Sequence, residues 1–197
     1  MTTPQSTPTA ATAGADAPTA LLQCLRMAVG SEILSVPIEA VREILEYGRL
    51  TPLPRTPAFV RGVMNLRGAV VPVIDLAARL GGPATQIGRR TCIVVVETSG
   101  PAASDEIAAS NDAIDDDAQS AEILVVGLLV DGVYEVFDAA AGRVEPVPPL
   151  GTRVPAPYLA GMVRAHGQVI GLLALDRALA ARELAQLIGA GVPVTQH

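Results

Sequence analysis

Apolar residues along this chain gather in short runs, each closed by Gly, Pro or an Asp-Gly pair. Valine, isoleucine and leucine dominate these runs, and that composition with those boundaries predicts strands. Ten are expected, at 21–28, 32–37, 41–46, 62–67, 69–74, 91–97, 122–130, 133–138, 160–165 and 168–174. The stretch DRALAARELAQLI at 176–188 differs. It is rich in Ala, Leu, Arg and Glu, and apolar positions recur at Leu179, Leu184, Leu187 and Ile188. That spacing predicts a helix, with Asp176 placed to cap its N-terminus. Shorter helical pieces are expected near 57–61 and 76–80.

The pattern repeats. SVPIEAVREILEYGRLTPLP, from Ser35, parallels GLLVDGVYEVFDAAAGRVEPVP, from Gly127. Ile38, Glu39, Val41, Glu43 and Ile44 match Val130, Asp131, Val133, Glu135 and Val136. Further on, FVRGVMNLRGAVVPVIDLAARL from Phe59 parallels YLAGMVRAHGQVIGLLALDRAL from Tyr158. There Gly62 matches Gly161, Gly68 matches Gly167, and Arg67 matches His166. Each half runs strand, Pro-rich connector, Gly-centred hairpin, helical start. Either unit alone is too short to bury much surface, so two small barrels sharing a core are expected.

Gly62, Gly68, Gly161 and Gly167 read as turn glycines, with Gly68 and Gly167 supplying the positive φ of a tight hairpin. Such a turn carries Asn65 and Arg67 to an exposed end, on one face of their strand, with Leu66 on the other. Val70, Val71, Val73 and Ile74 make the next strand apolar on both faces. Pro72 within it implies an edge, a bulge or a barrel corner.

Composition narrows the possible chemistry. The chain has 197 residues, half of them hydrophobic, with no Trp and no Lys, so all 14 basic residues are Arg. The net charge of -6 is uneven: residues 97–122 hold eight acids and no Arg, leaving 14 Arg against 12 acids elsewhere. No basic patch suits nucleic acid. Residues 1–19 are expected to be a disordered tail, 20–189 the folded domain, 99–121 an acidic flexible insertion, and 190–197 a C-terminal tail. The first residues lack the pattern of a signal peptide, and no apolar run is long enough to span a bilayer, so a cytoplasmic protein is expected.

Cys24 and Cys92 lie in apolar runs and read as buried thiols rather than a disulfide or metal pair. The two histidines, His166 and His197, have no partner motif for catalysis. Asp75 and Asp131 read as capping and turn residues. Asp115–Asp117 lacks the alternating oxygens of a calcium loop. No cofactor, metal or enzymatic activity is expected. In VREI (41–44) charge alternates with apolar residues, as on a half-wet strand or a binding strand. Arg67 is either a turn arginine paired to an acid or an interface anchor.

These segments resemble a known family. TPAFVRGVMNLRGAVVPVIDLAARL (56–80), VPIEAVREIL (36–45), GLLVDGVYEV (127–136) and PYLAGMVRAHGQVIGLLALDRAL (157–179) are similar to the CheW-type chemotaxis coupling proteins. The resemblance spans roughly 21–180 in order. It implies a mainly β fold of two intertwined five-stranded SH3-like barrels with short helices and a C-terminal helix. It also implies a non-catalytic scaffold in receptor arrays, with two partners. These are the regulatory domain of a CheA-type histidine kinase and the cytoplasmic tip of a methyl-accepting chemotaxis receptor. By the same resemblance, Val41, Glu43, Ile44, Asn65, Arg67 and Gly68 lie in or beside the receptor/kinase interface. The alternatives are an adaptor of another chemosensory pathway such as twitching motility, or a small-ligand or ion-binding barrel using the acidic loop.

Overall fold

A computed structural model of the chain describes residues 21–99, 123–140, 144–148 and 152–179. The expected tails at 1–19 and 190–197, the insertion between Ser99 and Ile123 with Asp115–Asp117, and the helical pattern beyond Leu179 lie outside the described residues.

Ten strands are present: β1 (Leu21–Val29), β2 (Glu32–Pro37), β3 (Val41–Glu46), β4 (Val60–Leu66), β5 (Ala69–Asp75), β6 (Cys92–Ser99), β7 (Ile123–Val130), β8 (Gly132–Ala140), β9 (Leu159–Ala165) and β10 (Gln168–Leu173). They form two five-stranded sheets, ordered β8-β1-β2-β10-β9 and β3-β6-β7-β5-β4. All pairings within the sheets are antiparallel except β2 with β10 and β5 with β7, which run parallel. The two orders are the same under exchange of the repeats. Each sheet takes strands from both halves of the chain, so the barrels are interlaced rather than one per repeat.

Each sheet curls until its edge meets a connector. Thr51 and Val63 exchange two backbone hydrogen bonds of 2.8 Å, and Glu145 and Met162 do the same at 2.8 Å. Beside these bridges sit Gly62 and Gly161. They are not turn residues, as the sequence suggested, but lie inside β4 and β9. A Cβ on Gly62 would collide with the Thr51 carbonyl, and one on Gly161 would meet Val144 and lie 2.8 Å from the Glu145 carbonyl oxygen. The repeat therefore conserves a crossing point between backbones.

Period-two alternation sorts each strand between two cores. Leu25, Met27 and Val29 of β1 join residues such as Leu34, Val36, Val94, Val96, Leu128, Leu76 and Leu179 in the core between the barrels. Cys24 faces the other way, with Phe137, Val163, Ile170 and Leu172 inside the first barrel. Val73, Ile93, Val95 and Leu129 fill the second. Burial raises the Cys24 thiol to about 11, with the Glu39 charge adding to the rise and a Ser35 hydrogen bond opposing it. Only thiolate reacts with iodoacetamide, so at pH 8 native Cys24 should be alkylated about 100-fold more slowly than in urea-unfolded protein. Timed labelling with peptide mass spectrometry checks this.

Two short α-helices are described, α1 (Leu76–Arg79) and α2 (Leu175–Leu179), each following the last strand of a hairpin. Asp75 caps α1, its Oδ1 accepting from the Ala78 N–H at 3.2 Å. Asp176 does not cap α2 but sits in its first turn. The Ala174 carbonyl accepts the first helical bond, from Ala178, while the Ala174 N–H is held by Tyr158, so the helix begins one residue earlier than the aspartate. Nor is 57–61 helical. The Val60 N–H bonds back to the Pro57 carbonyl in a turn, and β4 starts at Val60. Single 3-10 turns occupy Ile38–Ala40 and Ala156–Tyr158.

Candidate functional site: the β3 strand and the β4–β5 turn

The β4–β5 hairpin pairs Leu66 with Ala69, leaving Arg67 and Gly68 as a two-residue turn. Both are left-handed, with φ of +51° and +92°. That combination marks a turn of type I′, whose twist matches the strands it joins. The Asn65 Oδ1 accepts from the Gly68 N–H at 2.9 Å, so this side chain braces the turn. The β9–β10 turn repeats the geometry with His166 and Gly167, at +48° and +75°.

Arginine is an uncommon residue at such a φ, where Asn is favoured. Arg67→Asn should therefore raise stability, by up to about 1 kcal/mol. Thermal denaturation of the two proteins measures it, and a lower melting temperature for the variant would show that the arginine itself stabilises the turn.

On β3 the half-buried positions are Val41, Glu43 and Leu45, and the exposed ones are Arg42, Ile44 and Glu46. The strand bulges opposite Val95 and Val96, between Val41 and Glu43. β3 and β4 are the two outer strands of their sheet, yet closure of the barrel brings the β4–β5 turn over β3. There Arg67 Nη2 lies 3.2 Å from Glu43 Oε2, with the arginine side chain 81% exposed and the glutamate 22%. In water such a pair contributes little stability. Its effect is to orient the guanidinium over β3.

A second ion pair, Arg42 with Glu97, ties β3 to β6. Beside both pairs runs a groove of about 690 Å³, with Leu66, Val70, Pro72 and the β7 residues Ile123 and Leu124 among its lining. Val70 and Ile123 are 63% and 64% exposed, and Ile44 on β3 is 45% exposed. Of the six residues expected at an interface, Glu43 and Arg67 touch and line this groove, Asn65 and Gly68 belong to the same turn, Ile44 is exposed on β3, and Val41 packs against the core between the barrels. Sequence reasoning missed Arg42, Val70 and Ile123. The exposure of Val70 could have been suspected from its place two residues after a turn glycine. The contribution of Ile123 depends on β5 pairing in parallel with β7, which no local pattern encodes.

The first barrel carries a related arrangement in different residues. Glu135 faces His166 Nε2 at 3.6 Å and Arg26 Nη1 at 3.0 Å, and Arg26 also stacks 5.2 Å from the Tyr134 ring centre.

Asp75 is fully buried and spent on structure: besides its cap it accepts from the Thr85 N–H at 2.8 Å and the Thr85 hydroxyl at 3.0 Å. Asp131 accepts from the Gly30 N–H at 2.6 Å. Among the described residues no group of His, Cys, Asp or Glu is placed to hold a metal ion, and no helix is long and apolar enough to cross a membrane.

Two interlaced barrels with exposed valine and isoleucine around an oriented arginine describe a protein-contact module of the adaptor class. The chain belongs to the CheW-like family: residues 23–183 match its domain. It is 32% identical over 155 residues to the chemotaxis protein CheW of Rhizobium meliloti, covering 79% of this chain and 85% of that protein. It is 35% identical over 158 residues to the protein FrzA of Myxococcus xanthus, covering 79% and 82%. The fold matches the crystal structure of the scaffolding protein TtCheW from Thermoanaerobacter tengcongensis with a TM-score of 0.63 at 24% identity, over 81% of this chain and 92% of that one. Its relatives are chemotaxis coupling proteins and a scaffold, and this chain is a chemotaxis coupling adaptor of that family.

Proposed function

We propose that the protein joins the cytoplasmic tip of a methyl-accepting receptor to the regulatory domain of a CheA-type histidine kinase. Its docking surface is the end of the second barrel formed by Val41, Glu43, Ile44, Asn65, Arg67 and Gly68. It would work in the cytoplasm, at membrane-held receptor arrays. The observation that supports this most is the Glu43–Arg67 pair, which joins the outer strand β3 to the β4–β5 turn and orients an exposed guanidinium among apolar neighbours. An arginine turned this way presents its planar fork to a partner, and aliphatic side chains beside it supply area. Modest affinity is expected for each contact, with the array supplying avidity.

The test is titration of the full chain with a receptor cytoplasmic hairpin and, separately, with a kinase regulatory domain, followed by calorimetry. Saturable binding to both is expected. Failure of a folded sample to bind either one overturns the reading. The likeness to FrzA favours a second possibility, service in another chemosensory pathway, such as twitching motility. Titration against receptors from two pathways of the source organism separates the two.

A further inference from the structure

One side chain bonds across the seam between the barrels and stacks on a ring from each. Arg79 ends α1, which follows β5 of the second barrel, and its Nε donates to the Ala178 carbonyl in α2, which follows β10 of the first, at 2.7 Å. Its guanidinium carbon lies 4.8 Å from the centre of the Phe59 ring and 5.7 Å from that of Tyr158. Phe59 leads into β4 and Tyr158 into β9, and the two are the same position of the two repeats. Arg79 and Ala178 are likewise equivalent to one another, 99 residues apart. A long cation thus stands in one repeat where the other has a small buried residue. Two arginines here would set like charges against each other, so the clamp closes from one side only.

The rest of the seam is largely apolar. Residues such as Met27, Val36, Val94 and Leu128 pack there without directional bonds. Hydrophobic burial favours contact but not one angle of contact. The Asp131 contact with Gly30 sits where the chain passes from β7 to β8 and the barrels are already covalently joined. The helix pair has no such covalent crossing, and Arg79 supplies a directional bond together with two ring contacts.

We propose that Arg79 is a positioning residue that fixes the angle between the two barrels. It thereby sets the angle between the barrel ends, which carry Val70 on one and Val169 on the other. This follows from the seam alone, and it stands or falls separately from the identity of any partner.

Spin labels at Val70→Cys and Val169→Cys, both exposed positions, report the angle as a distance distribution by pulsed electron resonance. Cys92→Ala removes the accessible native thiol, and Cys24 is buried. The parent should give one narrow distribution. Arg79→Met keeps the aliphatic stem and should broaden it at least about twofold, since a directional bond and two cation–ring contacts go. Arg79→Lys keeps a cation and a donor and should recover most of the parental width. An Arg79→Met distribution as narrow as the parent's, in protein with native circular dichroism, overturns the proposal. Should Arg79→Met not fold, Arg79→Leu takes its place, since it also removes both the bond to Ala178 and the cation over the two rings. An unbroadened distribution there overturns the proposal equally.

Discussion

Gly62→Ala should destabilise the protein by about 4 kcal/mol, the sum of a strained backbone and a forced clash. Gly62 has a φ of +135°, which an alanine adopts only with strain. The added Cβ would also press on the Thr51 backbone, which cannot rotate away as a side chain could. That contact is the bridge that closes the second barrel, so relief means opening the barrel edge. Gly68→Ala is the matched control. Its φ is +92°, but nothing lies within 4 Å of the added carbon. There only the conformational penalty applies, about 1–2 kcal/mol. Urea denaturation of both variants measures the contrast. Equal losses would mean that close approach is not what requires glycine at position 62.

Arg67→Glu should weaken binding to the partner that docks on β3 by about 30-fold or more, as expected of an interface hot spot. The fold should be nearly unaffected, because an exposed ion pair contributes at most about 1 kcal/mol. The reversed charge faces Glu43, which pushes the new carboxylate off the position that the guanidinium held. Calorimetric titration with circular dichroism on the same samples separates the two effects. A melting temperature that falls as steeply as affinity would make Arg67 a structural turn residue instead. The double reversal Glu43→Arg/Arg67→Glu adds a further distinction. It restores the pair but not the placement of the positive charge on the turn. Recovered binding would assign the effect to the pair, and continued loss to the guanidinium.

The strands were legible because the core is built from valine, isoleucine and leucine in short runs between Gly and Pro, and tertiary packing did not override that pattern. Their edges drifted where a neighbour decided them. Val60 and Arg61 joined β4 because the Pro57 turn releases the chain directly into the sheet. The repeat showed that Gly62 and Gly161 were special, but a glycine in a turn and a glycine under a crossing backbone look alike in one dimension. Pattern alone therefore reads all four repeat glycines as turn residues, and only Gly68 and Gly167 are. Interlacing was not contained in the repeat, which on its own suggests one barrel per half; the family resemblance supplied it. At the candidate site, the two segments could be read separately. Their meeting could not, because Glu43 lies on one outer strand and Arg67 on the turn that follows the other, and closure is a property of the whole barrel.

The exchange of strands between halves also dictates an order of events on the ribosome. The second barrel uses β3 to β7 and has all its strands once Val130 has emerged. The first barrel cannot. Its β1–β2 hairpin is made well before the strands it pairs with, β8 and β10, and Ser35 hydrogen-bonds to Gly171 from 136 residues away. Until those strands arrive, Leu25, Met27, Leu34 and Val36 have only the completed second barrel to pack against, and both hairpin edges stay open. Contacts that distant in sequence form slowly, and open strand edges invite association with other chains. A nascent chain stalled before β8 is therefore the form of this protein most in need of a chaperone.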